Sequence, residues 1–319
     1  MSKKFVDTHV HIVGTGRSFT NLQDKIRTVE DVINLNSRYP EIYQARLTEE
    51  PVDISDVLIQ EMDRHGITHA IIQQTPGTGN NDLVAETVKK HPVRLFGLLS
   101  FERGVLKPGE KVNRRPGNWP SEEQMALDRA KAADEVTRGV EVLGLKGVGE
   151  FERRKFTMQT HPEKIVNDFA PFMEVIAKYK IPVQIATAWT QFPHGLFYGD
   201  PIWADELAYS YPEVPIILTK MGRGILHLFE NALSVARRNV NVYFDILQST
   251  GEHIRRAVDA IGADRIMFGT DWSPTWRWLI EPADRYTMQL KVLDDANLTA
   301  SEREQIEWRT AEKVFRLDL

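Results

Sequence analysis

The feature that most restricts the fold of this chain is a regular alternation of short β-branched runs with longer amphipathic runs. Eight apolar runs predict buried strands, and each is followed by a segment whose apolar residues recur at helical spacing. The predicted strands span residues 4–11, 68–74, 94–100, 142–149, 182–187, 215–219, 240–246 and 265–270. Because alternating strands and helices favour a parallel sheet, eight such units predict an α/β fold, a (β/α)8 TIM barrel.

The length of the chain also fits one barrel with insertions. The chain has 319 residues, whereas barrels of this kind typically have about 250. Most of the surplus lies in two insertions, at 14–50 after the first strand and at 101–120 after the third. Since both insertions follow strands, we expect them over the carboxyl-terminal rim, where barrel active sites lie. No Gly-, Ser- or Pro-rich linker divides the chain, so we expect a single domain over residues 1–319.

Composition narrows the class of protein. The chain has 45 acidic and 40 basic residues, a net charge of -5, which argues against a nucleic-acid partner held by a broad basic patch. The absence of cysteine excludes a disulfide scaffold. No apolar run approaches the roughly 20 residues that cross a bilayer, and the N-terminus has no secretory signal pattern. We therefore expect a cytoplasmic protein with a small-molecule substrate and no membrane partner; because barrels of this size often dimerise, we also allow for a homodimer.

Two histidines stand at the end of the first predicted strand. Side chains at i and i+2 of a strand point the same way, so Asp7, His9 and His11 share one face. Two imidazoles on the inner face of a barrel mouth suit a divalent metal ion. The alternative is a pair of histidines that only hydrogen-bond within a partly buried mouth.

Two carboxylates end other predicted strands. Asp271 ends the eighth strand, which neighbours the first in a closed barrel; there it can bind metal or accept a proton from metal-bound water. Alternatively, Asp271 only caps the following helix. Glu150 ends the fourth strand, where an acidic side chain aimed into the mouth needs a partner. That partner is either a metal ion or a nearby cation such as Lys146 or Arg153.

Several further side chains are candidates for substrate contact. Lys220 ends the sixth strand, where it can hold an anionic group, act as a base or pair with Glu150. Arg223 supplies a second cation three residues later. The loop candidates are His194, which can swing into the site, and an aromatic wall that includes Trp189 and Trp272, although a loop packed by its own side chains is the commoner arrangement.

Two motifs together resemble a known group of enzymes. The first-strand segment 6–11 (VDTHVH) and the eighth-strand segment 262–271 (GADRIMFGTD) are similar to the amidohydrolase-related family, and weaker likeness covers most of the chain. This branch of the amidohydrolase superfamily includes aminocarboxymuconate-semialdehyde decarboxylase and other nonoxidative decarboxylases, alongside hydrolases and hydratases. The resemblance implies that His9 and His11 are metal ligands and that Asp271 is a ligand or a proton shuttle.

The sequence departs from the family pattern at two positions. The family usually has a metal-binding histidine at the end of strand five, where this chain has Ala186, and another histidine at the end of strand six, where it has Lys220. Glu150 offers compensation, since its setting resembles superfamily members in which a fourth-strand glutamate binds metal. The resulting hypothesis is one divalent ion, Zn or Mn, held by His9, His11, Glu150 and Asp271.

Three functions follow from these residues. The leading expectation is a metal-dependent hydrolase of a small, anionic ester, lactone or amide, in which Asp271 accepts a proton from metal-activated water and Lys220 binds the anionic group. The alternative is a nonoxidative decarboxylase or lyase of an aromatic or unsaturated carboxylic acid, with tryptophans stacked on its ring. A further alternative is a catalytically degenerate barrel that acts as a binding protein, which the departures at Ala186 and Lys220 would explain.

Overall fold

The computed structural model describes most of the barrel and leaves out parts of its loops. The described residues are 4–12, 54–73, 81–101, 121–153, 156–188, 195–272 and 285–319. The insertion at 14–50, residues 102–120 of the second insertion, Trp189 and His194 lie outside the described residues. The predictions for those positions are therefore not tested by the structure.

All eight predicted strands are present and every hydrogen-bonded pair is parallel. The strands pair in the order β1-β2-β3 and β4-β5-β6-β7-β8. Their bounds are β1 Val6–His11, β2 His69–Gln73, β3 Leu95–Gly97, β4 Val148–Phe151, β5 Val183–Ile185, β6 Ile216–Leu218, β7 Val242–Asp245 and β8 Ile266–Met267.

Backbone hydrogen bonds join the two groups of strands at both seams. Between β3 and β4, the Gly149 N–H donates to the Leu99 carbonyl at 2.9 Å. Between β8 and β1, the Thr8 N–H donates to the Phe268 carbonyl at 2.9 Å. These bonds complete a ring of eight parallel strands, which confirms the predicted TIM barrel.

Helices follow the strands as the sequence pattern predicted. Within the described ranges no helix is both long and apolar enough to span a membrane. The helix bounds are α1 Ser55–His65, α2 Asn81–Lys90, α3 Glu122–Glu141, α4 Pro162–Tyr179, α5 Gly195–Tyr198, α6 Ala204–Ser210, α7 Leu226–Arg238, α8 Gly251–Ile261, α9 Arg285–Asp294, α10 Ala300–Glu304 and α11 Thr310–Phe315, with short 3-10 segments at Pro201–Trp203, Thr219–Gly224 and Ala263–Arg265 and a π-helical segment at Gln305–Arg309.

Strand alternation divides the core into an outer and an inner layer. Along β6, Ile216 and Leu218 pack outward beneath the helices, whereas Ile217 packs inside the barrel. The inner layer fills the amino-terminal half of the barrel with apolar side chains and contacts α11 through Val314 and Phe315. Nearer the carboxyl ends of several strands, the residues that face the inside of the barrel are polar. The candidate site therefore lies in the carboxyl-terminal mouth of the barrel.

The fourth strand differs from the prediction. It was expected at 142–149, but the observed β4 is Val148–Phe151, so Glu150 lies within the strand and not at its end. The reason is that α3 continues to Glu141, and the chain needs residues 142–147, with Gly144 in the left-handed region at φ 69°, to return to the barrel. Lys146 is consequently exposed and lies away from Glu150.

Candidate active site

The two histidines of β1 lie side by side in the mouth of the barrel. His9 is fully buried, His11 is 5% exposed, and their Nε2 atoms are 3.1 Å apart. The Nδ1 of His9 donates to Oδ2 of Asp245 at 2.8 Å, because a carboxylate can only accept. This bond leaves the lone pair of a neutral His9 on Nε2, directed at the Nε2 of His11. The prediction that these two histidines lie on the same face of the first strand is thus confirmed.

Glu150 faces the histidines with one oxygen and is held by the other. Its Oε1 accepts hydrogen bonds from the Thr219 hydroxyl at 2.6 Å and from the Lys220 ammonium group. Its Oε2 lies 3.8 Å from His9 Nε2 and 3.9 Å from His11 Nε2. Burial alone would raise the pKa of Glu150, but the positive charge of Lys220 and the two histidines outweigh it and lower the pKa to about 2. Glu150 is therefore a carboxylate with one oxygen directed at the histidines.

Asp271 reaches the same point from the end of β8. Its backbone N–H donates to the His9 carbonyl at 2.9 Å, across the seam that closes the barrel. Its Oδ1 lies 3.1 Å from His11 Nε2, and its Oδ2 lies 3.6 Å from Nη2 of Arg285. Burial would raise the pKa of Asp271, but the hydrogen bond from His11 and the charge of Lys220 hold it well below its usual range. Asp271 is thus an ionised neighbour of both histidines.

Three of these residues, His9, His11 and Glu150, fit one divalent metal ion. In tetrahedral coordination with bonds of about 2.0–2.1 Å, ligand atoms lie about 3.3 Å apart. The facing atoms of His9, His11 and Glu150 are separated by 3.1 to 3.9 Å, and Oδ1 of Asp271 lies 3.1 Å from His11 Nε2 and 3.9 Å from His9 Nε2. Two imidazole nitrogens and one carboxylate oxygen thus converge on one point. Nitrogen and oxygen donors of this kind suit Zn or Mn.

Lys220 lies in a left-handed turn that follows β6. The five residues 220–224 all have positive φ, including Lys220 at 72° and Arg223 at 59°. Such a turn is strained at non-glycine residues, and Asp245 helps to hold it, since its Oδ1 accepts the Lys220 N–H at 2.7 Å. The Lys220 side chain, 3% exposed, forms an ion pair with Glu150. This pair is the alternative that the sequence left open for Lys220.

Arg223 presents a buried N–H group near the carboxylates. Its Nε donates to the Gln248 side chain, which orients the guanidinium group. Its Nη1 is buried and has no hydrogen-bond partner among the described residues. Burial lowers the pKa of Arg223, whereas the charges of Asp271 and Glu150 raise it. The unpartnered N–H is suited to an anionic group of a ligand.

Trp272 occupies a different environment from the aromatic wall considered above. Its carbonyl accepts the His11 N–H at 2.8 Å, and its side chain, 4% exposed, packs in the outer core. This position favours the packing alternative for Trp272. The other member of the proposed wall, Trp189, and the swinging residue His194 lie outside the described residues.

Three residues near the site were not identified from the sequence. Asp245 holds both His9 and the Lys220 turn, and its position at the carboxyl end of a predicted strand was a usable signal. Gln73 ends β2 in the same way. Arg285 lies outside the predicted strands, so the strand pattern gave no indication that its side chain would lie beside Asp271.

Comparison with known proteins shows to which protein family this chain belongs. A family model described as amidohydrolase matches residues 6–317. The chain is 23% identical over 354 aligned residues to the gamma-resorcylate decarboxylase of Polaromonas sp. (strain JS666 / ATCC BAA-500), with 93% of this chain and 98% of that protein covered. The match to the family model confirms the family expected from the β1 and β8 motifs.

Solved structures share the fold at lower identity. The 5-carboxyvanillate decarboxylase of Novosphingobium aromaticivorans, solved with bound manganese and 3-methoxy-4-hydroxy-5-nitrobenzoic acid, has a TM-score of 0.62 and 17% identity over 98% of this chain and 97% of that one. A probable 2-pyrone-4,6-dicarboxylic acid hydrolase of Acinetobacter baumannii, solved with citric acid, has a TM-score of 0.58 and 14% identity over 99% and 100% of the two chains.

Proposed function

We propose, on the premise that this chain belongs to the amidohydrolase family, that it is a metal-dependent nonoxidative decarboxylase of a small aromatic carboxylic acid. The observation that carries the proposal is the buried set of His9, His11 and Glu150, with Asp271 at its edge. Arg223, which interacts electrostatically with Asp271 and Glu150, adds an N–H without a partner among the described residues. The curated relative named as a decarboxylase, matched over nearly its full length, supports this alternative over the hydrolase that the sequence favoured first.

The ion is proposed to be Zn or Mn, held by His9, His11, Glu150 and Asp271. When bound, it would supply a Lewis acid that holds the substrate and stabilises negative charge as the carbon–carbon bond breaks. The manganese of the N. aromaticivorans enzyme supports Mn. The imidazole nitrogens of His9 and His11 are equally suited to Zn.

The side chains of the site have separate roles in this proposal. Arg223 binds and orients the carboxylate with the Nη1 group that has no partner in the described part of the chain. In decarboxylation, the bond between the ring carbon and the carboxylate breaks, CO₂ leaves, and the electron pair stays on the carbon and takes up a proton. Asp271, whose side chain is 23% exposed, passes this proton from solvent to the carbon. Lys220 fixes Glu150.

Hydrolysis is the second candidate function. The observation that favours it is that the same four residues could equally direct a water molecule at a lactone or ester, as the name of the A. baumannii neighbour suggests for that protein. In that case Asp271 would accept a proton from water, where in decarboxylation it delivers one. The two functions differ in whether water enters the product.

The deciding experiment measures CO₂ and water together. Purified protein is loaded with Zn or Mn and given hydroxybenzoates, other aromatic or unsaturated acids, and lactones in ¹⁸O-labelled water. Release of CO₂ from an acid, with a C–H bond in its place, supports the proposal. Incorporation of ¹⁸O into an opened lactone or ester without CO₂ release would replace decarboxylation by hydrolysis. His9→Ala with His11→Ala is the control and should abolish metal content and turnover.

A further inference from the structure

The backbone of Asp271 has a conformation that depends on support from its surroundings. Its φ is 57°, in the left-handed region, which non-glycine residues occupy at a cost and keep only where neighbouring contacts hold them. One such contact is the hydrogen bond from its N–H to the His9 carbonyl. The position of the carboxylate beside His11 therefore also depends on what holds Thr270, the residue just before this turn.

Two buried charged side chains hold the backbone of Thr270. Asp7, which is 0% exposed, accepts the Thr270 N–H at 3.1 Å and the Thr270 hydroxyl at 2.6 Å. Arg285, the first residue of α9, is 5% exposed and donates from Nε to the Thr270 carbonyl at 2.5 Å. Both polar groups of this peptide backbone are thus fixed immediately before Asp271.

Arg285 also reaches the carboxylate of Asp271. Its Nη2 lies 3.6 Å from Oδ2 of Asp271, while Oδ1 of the same carboxylate lies 3.1 Å from His11 Nε2. The planar guanidinium group therefore spans two acceptors, the carbonyl before the turn and one carboxylate oxygen. This contact assigns Oδ2 to Arg285 and leaves Oδ1 for the histidines.

We infer that Arg285 is the positioning residue of Asp271: it holds the left-handed turn and directs Oδ1 toward His11 and the metal. Arg285 acts through Asp271 and is not a ligand itself, because a guanidinium group has no lone pair to offer a metal ion. Without it, the Asp271 side chain, which is 23% exposed, could turn toward solvent. The inference rests on the proposed function in taking Asp271 to be a ligand of the ion.

A double-mutant cycle tests whether Arg285 acts through Asp271. The affinity for Zn is measured by chelator competition in the wild type, Arg285→Met, Asp271→Ala and the double variant. We expect Arg285→Met to weaken affinity about 10–100-fold in the wild-type background, as is typical when the partner of a ligand is lost. In the Asp271→Ala background the same substitution should weaken it less than about threefold, since the side chain that Arg285 orients is absent.

A matched substitution separates this role from the loss of any buried arginine. Arg129 is 8% exposed, donates to the Phe156 carbonyl at 2.7 Å and pairs with Glu122 at 2.7 Å, on α3. Arg129→Met should therefore leave Zn affinity unchanged. If Arg285→Met does not fold, Arg285→Lys carries the same expectation with a smaller factor, because the compact ammonium group lacks the planar fork.

The outcomes distinguish the role of Arg285 from the proposed function. Equal losses of Zn affinity in the two backgrounds, or no loss in either, would overturn the positioning role. An equal loss in Arg129→Met would overturn it as well. No uptake of Zn or Mn by the wild type would overturn both this inference and the proposed metal site. Coupling between Arg285 and Asp271 without CO₂ release from any acid supports the inference and counts only against decarboxylation.

Discussion

Replacing Lys220 with Met should strongly destabilise the metal-free protein. Lys220 and Glu150 form an ion pair in which each side chain is 3% exposed. Removing one partner of a buried pair leaves an uncompensated charge and typically costs about 3–5 kcal/mol. For a chain of this size we expect a fall in Tm of about 6–20 °C, at about 2–4 °C per kcal/mol.

The lowered pKa of Glu150 corresponds to a stabilisation of similar magnitude, and it determines how that stabilisation depends on pH. Its pKa is lowered from 4.5 to about 2 on folding, which corresponds to about 3 kcal/mol of stability. Because the folded pKa is the lower one, this stability is fully present above pH 4.5 and is lost as the pH falls toward 2. The difference in stability between wild type and Lys220→Met should be largest at neutral pH and should shrink as the pH falls toward 2, because burial without Lys220 makes Glu150 take up its proton at a higher pH in the variant than in the wild type.

The assay is urea unfolding of EDTA-treated protein at pH 7, 4 and 3, with two further variants. Lys291→Met is the matched control, since Lys291 is 73% exposed and pairs with Asp295 on the surface; it should change stability by less than about 1 kcal/mol. Adding Glu150→Gln to Lys220→Met should recover part of the loss by removing the buried charge. A loss in Lys220→Met no larger than in Lys291→Met, or a difference independent of pH, would refute this reasoning.

Three further predictions concern the site itself. His9→Ala with His11→Ala should reduce bound Zn or Mn from about one equivalent to none, measured by plasma mass spectrometry, because both imidazole ligands are lost. Asp245→Ala should weaken metal affinity about 10–100-fold in a chelator competition, since Asp245 orients His9 through the 2.8 Å bond. Arg223→Met should raise the KM for the carboxylate substrate about tenfold or more, with a smaller change in kcat, because a charge-assisted hydrogen bond is lost.

Each of these predictions has a contrary outcome. Full metal content in the double histidine variant would mean that the metal binds elsewhere. Unchanged metal affinity in Asp245→Ala would mean that its hydrogen bond does not orient the ligand. Equal losses of kcat and kcat/KM in Arg223→Met would assign Arg223 to the transition state and not to substrate binding. Arg255→Met, at the exposed pair with Asp259, is the control for Arg223 and should leave KM unchanged.

The sequence by itself determined the architecture and the β1–β8 part of the site. Alternating apolar and amphipathic runs predict a parallel sheet covered by helices, and eight such units fit a closed barrel. The period of two places His9 and His11 together, and closure of the barrel places Asp271 beside them. These inferences need only local periodicity and the order of the strands.

Only the tertiary structure decided how the remaining charges are paired. Because α3 extends to Glu141, β4 begins later in the sequence than predicted. Glu150 therefore faces the histidines, while Lys146 is exposed. The left-handed turn after β6 brought Lys220 to Glu150, a contact between residues 70 positions apart. Such pairings depend on turn geometry and on which polar groups remain unsatisfied after burial, and neither quantity is encoded in the local hydrophobic pattern.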